Sequence, residues 1–235
     1  MDSVYMHVKS VLLVFIISRF GIAFLQTMLW LTIPAKKSEN DDQKKENTKN
    51  TNESLSDTDK LYIATNQFVE TTFLCFILRM GSFLPNNDFD SIYSPSVLLT
   101  ILRTISFVFR TVLVSLLLLY GDDMLYEPFH RLLHKNKFLY KHIHLHHHQA
   151  KRPRRGYVDA INEHPLEMGG ALILNAFVIL ICRPVLNRAS LALSLFLKAT
   201  FAIINHLDRD FCIGFYDAKR HRLHHFFSKI YFGQM

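Results

Sequence analysis

The run from Val8 to Ile33 carries almost no charge and is long enough, at about 1.5 Å per helical residue, to cross the roughly 30 Å hydrocarbon core of a bilayer. Further apolar runs follow at Ser96 to Tyr120, Leu166 to Cys182 and Val185 to Ile204, with a weaker one at Leu61 to Met80. Hydrophobic residues make up 49% of the chain, and they are gathered into these runs rather than spread as a soluble core requires. That bunching makes the bilayer the solvent and predicts an all-α integral membrane helical bundle.

The first run is too long for a signal h-region and lacks a small-residue cleavage pattern, so residues 1–33 read as a retained transmembrane helix. Residues 34–60 hold six Lys and seven acids among Asn, Ser and Thr, which predicts a disordered polar loop. Asn52-Glu53-Ser54 within it is a glycosylation sequon, which bears on a lumenal loop only. Residues 61–95 read as an apolar or interfacial helical segment and a loop, its apolar part interrupted by Asn66, Glu70 and Arg79. Residues 96–235 form the remaining domain. Arg103 and Arg110 sit two helical turns apart within the Ser96–Tyr120 span, and the cost of a charge at that depth predicts that they face the bundle interior or snorkel. Arg183-Pro184 breaks the last two runs into a helical hairpin. Both arms are short for full spans, but a hairpin returns the chain to the side it left, so the segments flanking it share one face of the membrane.

The formal net charge is +7, and eight Lys or Arg with no acid fall between Arg131 and Arg155. Beside apolar helices such a block reads as cytoplasmic and as lying against anionic headgroups. No recognition module accompanies it, so nucleic acid is not an expected partner. Cys75, Cys182 and Cys212 are far apart and have neither disulfide-framework nor zinc-finger spacing, which predicts reduced structural thiols.

The thirteen histidines are concentrated in short stretches. His130 and His134 are four apart, one turn above each other on a helix. In Lys141-His-Ile-His-Leu-His-His-His148, a regular helix groups His144, His147 and His148 on one arc and turns His142 and His146 to water or headgroups. His221-Arg-Leu-His224-His225 repeats the HxxHH spacing beyond the hairpin. Two such motifs plus HxxxH, all on one side of a membrane, point to metal rather than to a His-rich surface tract. Eight imidazoles exceed what one closed zinc site takes, and two ions with open positions fit the count. Imidazole suits Zn, Cu, Fe and Ni, and the membrane setting with open positions favours iron.

The pattern HxxxH, HxxHH, HxxHH among apolar helices resembles the fatty acid hydroxylase and sterol desaturase superfamily of membrane non-haem di-iron oxygenases. The resemblance runs from about Asp123 to Gly233 and includes His130-Arg131, Leu139-Tyr140-Lys141, His164-Pro165-Leu166-Glu167, Asn205-His206 and Tyr231-Phe232-Gly233. It implies His130, His134, His144, His147, His148, His221, His224 and His225 as metal ligands, with His206 as a ninth. His164 is either a further ligand or a polar group at the hairpin entrance. Asp123 either orients a ligand or belongs to the first turn of a helix. The resemblance also implies two iron ions and dioxygen oxidising a C–H bond of a sterol or fatty-acyl lipid. Electrons would come from a separate b-type cytochrome or NAD(P)H-dependent reductase, and the endoplasmic reticulum would be the membrane, with the histidines facing the cytoplasm. The sequence departs from the family's pattern in three ways. Glu127 stands where members often have Tyr, Pro128 is expected to start or kink the first-box helix, and the chain ends at Met235 where members continue. Two other readings stay open. A metal-dependent membrane hydrolase would take its base from Glu127, Glu163 or Glu167, in the absence of HExxH. The other is a non-catalytic, truncated member of the family.

Overall fold

The computed structural model describes residues 2–33, 54–82, 84, 92, 96–151, 153–209, 211–213 and 216–227. Most of the polar segment 34–60, part of the sequon and Tyr231-Phe232-Gly233 lie outside them. The architecture is an all-α membrane bundle. Its helices are α1 (Asp2–Thr32), α2 (Asp57–Ser82), α3 (Val97–Lys135), α4 (Pro165–Cys182), α5 (Arg188–Asn205) and α6 (Ala218–Phe227). The first five are long and apolar enough to cross a membrane. Two short strands, β1 (Cys212–Ile213) and β2 (Tyr216–Asp217), pair antiparallel just before α6.

Helix α3 has 39 residues and is about 58 Å long, well beyond the roughly 30 Å of hydrocarbon. Its N-terminal part shows apolar side chains such as Leu98, Ile105 and Phe109 on the outside, as lipid contact requires. Its last turns carry His130 and His134 past the length a bilayer core can cover. Pro128 neither starts nor ends the helix, which runs through it. Arg103 and Arg110 do not face the bundle interior; both are exposed, and Arg110 reaches the Val185 carbonyl at 3.4 Å, beside the hairpin turn.

The hairpin forms as its sequence dictates. Pro165 occupies the first turn of α4 behind the His164 cap, where a missing N–H costs nothing. Asn187 and Ser190 form a reciprocal capping box at the start of α5. The turn between them, Arg183–Val185, is 3-10 helical around Pro184. Helices α2, α3, α4 and α5 meet in a core of Ile77, Val114, Leu118, Val178, Ile179 and Leu191. Deep in the bundle, Asp122 pairs with Lys198 at 2.5 Å and accepts from Asn175 at 3.1 Å, tying α3 to both hairpin arms. Asp123, the neighbour of that pair, is half-buried.

A second core of Tyr157, Ile161, Ile203 and Leu207 lies where the segment from Pro153 to His164 crosses α5. Asp159 fixes that segment, accepting from the Arg154 and Arg155 amides at 2.7 and 2.8 Å. Gly156 has φ 59°, and a Cβ there would lie 2.8 Å from Gln26 Oε1 and 3.0 Å from Leu207 Cδ2, so only glycine fits. Tyr216 sets the last helix: it stacks on Phe201 with ring centroids 4.3 Å apart and donates to Asn205 Oδ1 at 2.7 Å.

Candidate metal centre

The end of α3, the segment after it, the end of α5 and helix α6 converge. On α3, the i, i+4 spacing puts the His130 and His134 rings 5.1 Å apart. The second box is not a regular helix: Tyr140–His144 is a π-helical turn, closed by Leu145 N to Tyr140 O at 2.7 Å, and His147–Gln149 is 3-10 helical. Because the rotation per residue changes along it, the regular-helix arc does not describe this box. His142 is exposed as expected, but His146 is half-buried, its Nε2 donating to Asn162 Oδ1 at 3.0 Å and lying 3.1 Å from Asp59 Oδ1.

Two groups of side chains result. His130, His134, His144, His148 and His224 form one, and His147, His206, His221 and His225 the other, with the candidate ligand atoms of each group within 4.8 Å of one another. The boxes are crossed between them. His144 and His148 of the second box join the first group while His147 joins the second. In the third box His221 and His225 join the second group while His224 crosses to the first. His164 belongs to neither: its Nδ1 accepts from the Leu166 amide at 3.2 Å and its ring edges against Tyr62.

The geometry of the first group tests what it can hold. The Nε2 atoms of His130, His144, His134 and His224 form a closed ring with edges of 2.9, 2.9, 3.1 and 3.2 Å. A neutral ring nitrogen is either donor or acceptor, never both, so hydrogen bonds satisfy at most half of those edges. Nitrogens about 2.1 Å from one cation and at right angles to each other lie about 3 Å apart, which matches the ring. His148, 5% exposed, adds two ring nitrogens with no hydrogen-bond partner. In the second group His221 Nε2 lies 3.3 Å from His206 Nε2 and 3.1 Å from His225 Nε2, and His147 packs on His225 with centroids 4.6 Å apart.

On two of the rings the far nitrogen is held so that the near one offers a lone pair. His144 Nδ1 pairs with Glu167 Oε1 at 2.7 Å, both side chains being fully buried, and His206 Nδ1 donates to the Ala202 carbonyl at 2.8 Å. Carboxylate or carbonyl partners of this kind fix the tautomer of metal-binding histidines. Burial pushes the carboxyl of the neighbouring Glu163 up to about 8. The sequence offered Glu167 only as a hydrolase base within HPxE; its place behind His144 depends on tertiary packing.

Burial first, and mutual repulsion second, hold His144, His147, His221 and His225 well below the ordinary imidazole range and bring His148 down to about 3. The rings are therefore neutral at physiological pH, as metal ligands must be. The unfolded chain, with imidazoles near 6.5, binds more protons than the fold between that value and about 3. Stability of metal-stripped protein is thus full above the unfolded value and falls as the pH drops through this window. Melting temperatures of stripped protein in detergent, taken from about pH 7.5 to about pH 4, check it; a flat profile contradicts buried neutral rings.

The family model for fatty acid hydroxylase matches residues 114–235, just over half of the chain and the stretch that holds both histidine groups. The chain belongs to the fatty acid hydroxylase family. No curated protein and no solved structure matches it. Helices α1 and α2 lie outside the fatty acid hydroxylase match, yet α2 touches the second box through Asp59.

Proposed function

We propose that this member of the fatty acid hydroxylase family is an oxygen-dependent membrane lipid hydroxylase or desaturase with two iron ions, one per histidine group. The observation that carries this reading is the pair of all-nitrogen groups, eight of their nine rings buried, held against each other at the end of α3. The five-imidazole group exceeds the four ligands of a closed zinc site, and neither group offers the thiolates such sites usually use. When bound, the ions supply the activation of dioxygen and the attack on an unactivated C–H bond.

The protein's share is positional. Glu167 and the Ala202 carbonyl hold the His144 and His206 tautomers. The buried Tyr126 packs on His130 with ring centroids 5.2 Å apart and covers that side of the site. The substrate is a sterol or fatty-acyl lipid that reaches the centre from the bilayer. Its electrons come from a separate b-type cytochrome or NAD(P)H-dependent reductase. The basic segment 131–155 supports a cytoplasmic orientation, and the endoplasmic reticulum is the proposed membrane. The hydrolase reading is disfavoured because Glu127 is engaged by Arg131 and Glu167 is turned to the far nitrogen of His144.

The test is expression in cells lacking their own lipid oxygenases of this class, followed by lipid profiling with and without oxygen, and metal analysis of the purified chain. Oxygen-dependent hydroxylated or desaturated lipids together with bound iron are expected. Stoichiometric zinc with oxygen-independent lipid cleavage would overturn the reading in favour of a hydrolase. Bound metal without any lipid product would leave the non-catalytic member.

A further inference from the structure

Helices α1 and α2 read from sequence as a membrane anchor and an accessory segment, but their polar side chains converge on one place. That place is the stretch from Arg155 to Glu163, which joins the second histidine box to α4. Gln26 of α1 accepts from the Tyr157 amide at 2.9 Å. Arg19 of α1 and Glu70 of α2 are paired at 2.8 Å, and both bond the Tyr157 hydroxyl. Asp59, in the first turn of α2, accepts from Asn162 Nδ2 at 2.9 Å while contacting His146.

The most telling contact is Asn66. It is 0% exposed, and its Nδ2 donates to the Ile161 carbonyl at 2.9 Å and to the Glu163 carbonyl at 2.7 Å. An amide has two N–H donors, and both are spent on this turn. A polar side chain buried in an apolar helix face is costly unless its bonds serve the fold around it. Here they fix the backbone of Ile161 and Glu163, two residues before α4 begins, and Glu167 in the first turn of α4 places its Oε1 2.7 Å from His144 Nδ1. The path from α2 to a ring nitrogen of the first histidine group is therefore continuous, each step a hydrogen bond or a covalent link.

We propose that Asn66 is a positioning residue of the metal centre, setting the turn into α4 from which Glu167 aims His144 into the five-histidine group. The N-terminal helices are then part of the centre's scaffold, although they fall outside the family match. The proposal rests on the metal reading given above and adds a residue that no histidine motif reveals. It also specifies which ion feels the change. Asn66 acts through His144, so the five-histidine group responds and the four-histidine group does not.

The experiment is a Co2+ titration of the full-length, detergent-purified chain, followed by ligand-field absorption, for wild type, Asn66→Leu, Asn66→Asp and Thr72→Ala. Leu keeps roughly the volume and deletes both donors, and Asp deletes them while keeping a polar side chain of the same size. Thr72 is exposed on the same helix and its hydroxyl donates to the Phe68 carbonyl within that helix, so it is the control. Wild type and Thr72→Ala should bind two ions alike. In Asn66→Leu and Asn66→Asp one of the two binding phases should weaken by about tenfold or more, the range seen when partners behind metal ligands are lost, with the other phase unchanged. Melting temperature is recorded alongside. A variant that melts lower but binds both ions as wild type does would show a merely structural residue and overturn the proposal. Equal weakening of both phases would overturn the path through His144. Where Asn66→Leu fails to fold, Asn66→Asp decides by the same criteria. Failure of both to yield a folded chain counts against a positioning role and for a folding one. A wild type that binds no Co2+ would instead overturn the metal reading itself.

Discussion

His147→Ala combined with His221→Ala is expected to remove one metal ion and leave the other in place. The two residues come from different boxes, yet both belong to the four-histidine group, which would be left with His206 and His225 alone. The five-histidine group keeps every member. Iron content should fall from about two ions per chain to about one, since two neutral imidazoles do not fill a first-row ion's coordination. Lipid oxidation should fall below detection. The reciprocal set, His130→Ala and His144→Ala with His224→Ala, leaves the five-histidine group with His134 and His148 alone and should strip the other ion, using one residue from each of three boxes. If each box served its own ion, the first pair would damage two centres at once and iron would approach zero. Elemental analysis of the two variants separates a crossed arrangement from a box-by-box one, and retention of both ions in either variant contradicts the grouping.

That crossing marks where sequence reasoning stops. Helical spacing on α3 brings His130 and His134 to one ion because α3 is a regular helix to Lys135. The same arithmetic puts His144, His147 and His148 on one arc, and it fails because the backbone passes from a π turn to a 3-10 turn within that box. A change of helix type has no composition signal of its own; it is imposed by what the rings must reach. The hairpin was readable from Pro184 and from two apolar runs, and with it the meeting of distant boxes on one side. The reach of α3 was not. Its apolar run ends near Tyr120, but the helix continues through Pro128, whose lost hydrogen bond did not break it. His206 stood out only by resemblance, and its ring is aimed by a bond to Ala202 that lies within ordinary helix spacing. Asn66 looked like an interruption of a weak span. Its partners are about a hundred residues away, and pairings of that range are invisible to any local pattern.

Glu167→Ala is expected to weaken metal binding by about 10- to 100-fold, and to do so at the five-histidine group. The side chain is 0% exposed, and its Oε1 is 2.7 Å from His144 Nδ1. Alanine leaves that N–H without an acceptor in a buried site, at a cost of about 1–3 kcal/mol, and frees the ring to turn or to change tautomer. A ring with its proton on Nε2 has no lone pair for the ion. Glu167→Gln separates two roles for the carboxylate. A glutamine oxygen can still accept from Nδ1, so the ring stays aimed, and binding should weaken less than in the alanine variant. Turnover should follow metal occupancy in both variants if the residue only orients His144. A general base behaves differently: glutamine would keep the metal and abolish turnover, because an amide cannot take a proton from water. Metal affinity and turnover measured on the same two variants therefore decide between an orienting carboxylate and the base a hydrolase would need. Loss of turnover at full metal occupancy in Glu167→Gln is the result that would reopen the hydrolytic reading.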